Sequence, residues 1–208
     1  MAKRKSTAAK AADGNGLNAP PTMKPEIVTF RITGISPLLQ NNPTAFIGKS
    51  ESADLSAGKK EYNDEEEARL RLYVDDDGNH CHPSEAFLKA MIKAVSGKKF
   101  GKLFATSTLK GSVFIVENWT IIEDEDGSPA TEYTIDRRSV VIGKSRVLRC
   151  RPCWEEWHMR LVLEVDTAIC STQNVLDALR LAGRTVGVGD YRPQCGGGFG
   201  RFAAEIGE

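Results

Sequence analysis

Two stretches of helical periodicity, SEAFLKAMIKAV from Ser84 and STQNVLDALRLAG from Ser171, each stand between stretches of strand-like alternation, and this order constrains the fold more than any other feature of the chain. In the first, Phe87, Leu88, Met91, Ile92 and Val95 form one apolar stripe, Ser84 is placed to cap the start and Gly97 to stop the end. In the second, Val175, Leu176, Leu179 and Ala182 face one way, Ser171 or Thr172 can cap, and Gly183 takes the terminal position. Before the first helix, EIVTFRITGI from Glu26 alternates with Val28, Phe30 and Ile32 on one face; after it, GSVFIVENWTII from Gly111 reads as a strand. TEYTIDRRSVVIG and RVLRC in 131–150 form a hairpin or two strands, HMRLVLEVD from His158 is a half-buried strand, and Phe199 to Ile206 forms the last. The expected fold is α+β: a ferredoxin-like, RRM-like split β-α-β core with an inserted β-hairpin and a long loop after the first strand.

Residues 1–24, rich in Ala, Gly, Asn, Pro and Lys, read as a disordered basic arm. Residues 25–208 then form one domain, with an insertion at about 40–63 where no periodicity is sustained. DEEEARLRLY from Asp64 is a short helix or strand, and DDDGNHCHP a turn and an edge.

Net charge is zero, with 28 basic and 28 acidic residues, so composition nominates no partner. Distribution does more. Residues 51–79 hold ten acids against four bases, and 117–136 hold seven acids and no base. Residues 93–110 carry five lysines and no acid, and 137–160 seven bases against two acids. Converging basic runs would steer a polyanion; dispersed ones are solvated faces. Five cysteines without a secretory pattern, and no apolar run near 20 residues, lead us to expect a cytoplasmic protein with no membrane contact, a phage or mobile-element origin being open.

Motifs for small-molecule chemistry are weak. GVGDYR lacks the final glycine of a dinucleotide loop and follows a helix, and no P-loop lysine is present. HCH at 80–82 and CRPC at 150–153 have partial zinc spacing, and DDDGN lacks the downstream glutamate of a calcium loop. We expect no catalytic residue, no metal and no cofactor.

The C-terminal stretch RTVGVGDYRPQCGGGFGRF concentrates Gly187, Gly189, Gly196, Gly197, Gly198 and Gly200 with Arg184, Arg192 and Arg201 for phosphates and Tyr191, Phe199 and Phe202 for base stacking. Lys98, Lys99 and Lys102, and Arg137, Arg138, Lys144 and Arg146 with Trp154, extend the same pattern, which suits single-stranded RNA on a sheet face. The competing reading places Phe199 and Phe202 in the core and leaves the glycines only to turn the chain.

CHPSEAFLKAMIKAV at 81–95, GVGDYRPQCGGGFGRF at 187–202 and ITGISPLL at 32–39 together resemble the RAMP superfamily of CRISPR effector proteins, in which a Pro-Ser turn leads into the first helix and a glycine-rich loop precedes a last short strand. The resemblance is nearest to the single-core backbone subunits. It implies a glycine loop packed beside bound RNA, oligomerisation along a guide-like strand and association with other effector subunits. HPSEAF departs from the family's glycine-containing turn, and no histidine precedes His80, unlike the family's processing nucleases. We therefore expect a non-catalytic protein that binds single-stranded nucleic acid, RNA rather than DNA, and self-associates. The alternatives are an assembly protein using the same loops for subunit contacts, and a metal-dependent ribonuclease for which Asp54 lies in a comparable loop without an aligned motif.

Overall fold

The computed structural model describes residues 22–43, 63–143 and 145–207; the arm 1–21, most of the expected insertion (44–62, with Asp54) and Lys144 lie outside them. In chain order the elements begin with β1 (Pro25–Gly34), β2 (Leu38–Leu39) and α1 (Asp64–Leu70). β3 (Cys81–Pro83) then runs into α2 (Ser84–Ala94), followed by β4 (Lys99–Phe100), β5 (Leu103–Phe104) and α3 (Ala105–Ser112). The remainder is β6 (Val113–Ile115), β7 (Trp119–Ile121), β8 (Thr134–Ile142), β9 (Ser145–Trp154), β10 (His158–Asp166), α4 (Thr172–Thr185) and β11 (Phe202–Ile206).

The main sheet is antiparallel in the order β11-β1-β10-β6. Numbered along the core, that is fourth, first, third, second, the split β-α-β arrangement, so the expected α+β class and its inserted hairpin are both present. Register explains the layering. Val28 opposes Leu163, Phe30 opposes Leu161 and Ile32 opposes Met159, so alternate residues of both central strands enter one core under α2 and α4. Phe87 and Met91 of α2 and Val175 and Leu179 of α4 are fully buried there, each contributing on the order of 2 kcal/mol through removal of apolar surface from water. β2, β9 and β8 form a second sheet, and β3 pairs with β7. α1 packs on this second sheet, where the buried Arg71 donates to Glu67 at 2.7 Å and to Asn41 at 2.6 Å.

Four local expectations are corrected. Ser84 does not cap α2: Pro83 holds that position, and the buried Ser84 hydroxyl bonds that of Thr120 at 2.7 Å. The stretch from Gly111 is not one strand, because α3 runs to Ser112 and the rest divides between β6, paired with β10, and β7, paired with β3. Gly183 does not end α4. It lies inside the helix where a Cβ would overlap the Phe202 carbonyl, and Gly187, at φ +72°, follows the end of the helix in the left-handed conformation instead. The last strand starts at Phe202, since Phe199 belongs to the loop before it.

Candidate nucleic-acid interface

The glycine-rich loop connects α4 to β11 and closes on itself. Val188 N donates to Gly200 O at 2.9 Å, Gly200 N to Pro37 O at 2.8 Å, and Asp190 N to Leu39 O at 2.7 Å, which pins the loop to the exit of β1 and to β2. The close approach that glycine permits is made here by the chain itself. A Cβ on Gly200 would overlap Val188 O, one on Gly197 would overlap Tyr191 O, and one on Gly189 would lie 2.5 Å from Leu39 O. Gly187, Gly189, Gly196 and Gly200 also have positive φ. Gly198 has neither demand: its φ lies outside the left-handed region, and a Cβ there would meet nothing within 4 Å.

One face of the loop carries rings. Tyr191 is the single non-glycine residue at positive φ among the described residues (48°), with its backbone N–H bonded to the Asp190 carboxylate at 2.9 Å. That strain costs about 1 kcal/mol and leaves the ring 45% exposed. The Phe199 ring lies 6.1 Å from it, centroid to centroid, and the guanidinium of Arg138, from β8, sits 4.6 Å from the Phe199 centroid. The hairpin is held in this place by Arg151. Only 5% exposed, it donates to Asp190 of the loop at 2.8 Å and to Asp136 of β8 at 3.1 Å. A buried cation flanked by two carboxylates positions one element against another; without it, among the described residues, Asp136 would keep only Arg138 and Asp190 only the Tyr191 N–H.

The other face lines a cleft of about 920 Å³ with α2 as its opposite wall, including Lys89, Lys93, Arg192 and His82. His82 is 3% exposed, with Tyr73 and Phe87 edge-on to its ring. Burial, reinforced by the charge of Arg192, lowers its pKa to about 4, so the ring is neutral at physiological pH.

The expected site residues do not form one track. Arg138, Tyr191 and Phe199 meet on the loop's outer face, while Arg192 faces the cleft, its Nη1 bonded to Gly189 O at 2.9 Å. Arg201 is exposed beside Ser36, whose hydroxyl accepts its backbone N–H at 3.0 Å. Arg146 is exposed on β9, and Arg137 reaches Asp64 of α1 at 3.3 Å. Arg184 lines a separate shallow cleft with Arg31 and Arg180. Lys98, Lys99 and Lys102 sit on the β4–β5 hairpin beside α3, where Lys99 lies 4.9 Å from the Phe104 centroid.

Two stacking candidates are corrected. Phe202 is fully buried and Trp154 is 3% exposed, because each points into a core from its strand. Nor do the central strands offer rings on their open side; the exposed ring on that side, Phe114 opposite Glu164, lies on the edge strand β6. With Phe30 and Ile32 turned inward, the open side of the central strands presents Thr29, Arg31, Arg160, Val162 and Glu164. Sequence reasoning also missed Arg151 and Gln40; alternating Arg and Cys in RCRPC signals a strand, but not which arginine turns inward.

The zinc spacing does not assemble. Cys150 and Cys153 are three apart on one strand and so lie on opposite faces, and burial pushes both thiols up to about 11 and Cys81 up to about 12. Among the described residues no group of three or more His, Cys, Asp or Glu is placed to hold a metal ion, and no helix is long and apolar enough to cross a membrane.

No family model matches the chain, and no curated protein matches its sequence. Among solved structures it is similar to Cmr6 from Pyrococcus furiosus, at 12% identity over 88% of this chain and 100% of that chain, with a TM-score of 0.45.

Proposed function

We propose that this chain is a RAMP-like protein that holds single-stranded nucleic acid, RNA in preference to DNA, against the outer face of the glycine-rich loop and the β8–β9 hairpin. It holds the strand without cutting it, and aligns with further copies of itself and with other effector subunits along that strand. The observation that carries this reading is the Tyr191–Phe199–Arg138 arrangement, two rings of the loop and a guanidinium of β8 brought together from segments far apart in the chain. An exposed ring held by a strained backbone offers a base a stacking platform worth about 1–3 kcal/mol, indifferent to sequence. Arg201, exposed two residues beyond Phe199, supplies a cation of the kind a phosphate backbone requires, while Arg137 and Arg146 alternate onto the other face of the hairpin. The three segments that resemble the RAMP superfamily support the same reading: the first strand and its exit, the turn into α2 and the glycine loop form one connected region.

The test is fluorescence anisotropy with a labelled single-stranded RNA across a salt series. Tyr191→Ala should weaken binding by roughly tenfold or more at every salt concentration, in line with the loss of one stacked base. Arg201→Ala should instead flatten the salt dependence by about one phosphate contact. Unchanged affinity in both variants would overturn the assignment, and shortened RNA recovered only without chelator would favour the metal-dependent ribonuclease instead.

A further inference from the structure

The cleft between α2 and the inner face of the loop contains a hydrogen-bond donor that nothing in the fold uses. Gln40, fully buried, has its amide orientation dictated by backbone groups. Its Nε2 donates to Cys81 O at 2.7 Å, and its Oε1 accepts from Tyr73 N at 3.1 Å; a carbonyl can only accept and an N–H can only donate. The same Nε2 lies 3.4 Å from His82 Nδ1. A donor facing a neutral imidazole nitrogen requires the lone pair there, so the ring proton is on Nε2. Nε2 has no hydrogen-bond partner among the described residues, on a side chain 3% exposed that lines the cleft. This nitrogen is not one of the fully buried atoms left without a partner, so it is open to the cleft as a donor available to a ligand.

The surrounding charges decide what that something is. Two carboxylates line the cleft, and both are already engaged: Glu85 with Lys89 at 2.8 Å and Asp190 with Arg151 at 2.8 Å. Three cations are left in excess, Lys93, Lys110 and Arg192, none with an ion-pair partner among the described residues. Arg192 is moreover held in place by Gly189 O at 2.9 Å and Gln194 Oε1 at 3.3 Å, which lowers the entropy lost when it takes a ligand. Across the cleft from Arg192, Ala86 and Ala90 of α2 line an apolar stretch on the same helix stripe as Lys93, and a volume of about 920 Å³ accommodates a ligand larger than a bare anion.

We propose that this cleft binds a phosphorylated nucleotide, with its phosphoryl oxygens on His82 Nε2–H, Arg192 and Lys93 and its base against Ala86 and Ala90. The ligand is either a free nucleotide or the 5′-phosphorylated end of a strand. Only the second source rests on the strand-binding reading above, and the two sites, on opposite faces of one loop, fail separately.

Calorimetric titration with AMP and with adenosine tests the phosphoryl contact, and short RNAs of identical sequence with a 5′-phosphate or a 5′-hydroxyl test the strand end. If the ligand is a free nucleotide, AMP binds at least tenfold more tightly than adenosine. If it is a strand end, the 5′-phosphorylated RNA binds at least tenfold more tightly than its hydroxyl counterpart. In either case Lys93→Ala, on an exposed position that does not threaten folding, abolishes most of that difference. The ¹⁵N resonances of the His82 imidazole move with the phosphorylated probe and not with its unphosphorylated partner. Arg138→Ala, on the other face, leaves AMP binding intact even where it weakens strand binding. Equal affinities within both pairs of probes, or a phosphate preference that leaves the His82 resonances in place and survives Lys93→Ala, would overturn the proposal.

Discussion

Gly197 and Gly198 are neighbours in sequence and opposites in structure. Gly197 is pressed against the Tyr191 carbonyl where no Cβ can fit, whereas Gly198 has an ordinary φ and open space around it. The contrast extends along the loop. Gly187, Gly189 and Gly200 combine positive φ with backbone or side-chain atoms at close quarters, so they serve the fold; the tip at Gly196 and Gly198 faces outward. A single glycine-rich motif therefore contains residues that build the loop and a residue that only an outside partner would require to be small.

The sharpest way to break this contrast is Gly200→Ala. The new methyl would overlap Val188 O at φ +65°, and the Val188–Gly200 hydrogen bond would open with it. We expect a loss of about 4 kcal/mol, measured by urea unfolding; a loss under about 1 kcal/mol would mean that the loop closes differently.

His82, on the crowded side, is next. Its folded pKa of about 4 lies below its ordinary value of 6.5, so the unfolded chain binds the proton more readily. The stability this contributes is complete above about pH 6.5 and is lost as pH falls toward 4, by roughly 3 kcal/mol over that window. Unfolding curves at stepped pH should show this loss in the parent protein and a much smaller one in His82→Gln. Parallel curves would place the ring in water.

The smallest effect belongs to the tip. Gly198→Ala should change stability by less than about 0.5 kcal/mol while weakening single-stranded RNA binding in the anisotropy assay. An unaltered affinity would make the tip a spacer, and a large stability loss would erase the distinction between the two glycines.

Much of the core was legible because it is written in local periodicity. The stripes of 84–95 and 171–183 and the alternation of 26–35 and 158–166 each follow from the geometry of one element burying one face. The boundaries that failed did so for tertiary reasons. Gly183 looks like a stop but is the point where α4 crosses Phe202, and the strand-like run from Gly111 is divided because its two halves pair with different partners. For the candidate site, residue types were legible and grouping was not. The runs of cations in 93–110 and 137–160 contain no information on which side chains converge, since convergence depends on contacts between residues far apart in the chain.

Sequence alone determined the α+β order, the strands and helices that carry the core, and the concentration of glycine, ring and guanidinium near the C-terminus, all consequences of local spacing. Only the tertiary structure decided that most of those glycines answer to the chain's own carbonyls, that Phe202 is core while Tyr191 is surface, that Arg151 is buried between two acids while Arg138 lies on a ring, and that His82 holds its proton toward a cleft. Each of these depends on which atoms from distant segments share a few ångströms, and in a close-packed interior that is settled by the whole fold at once.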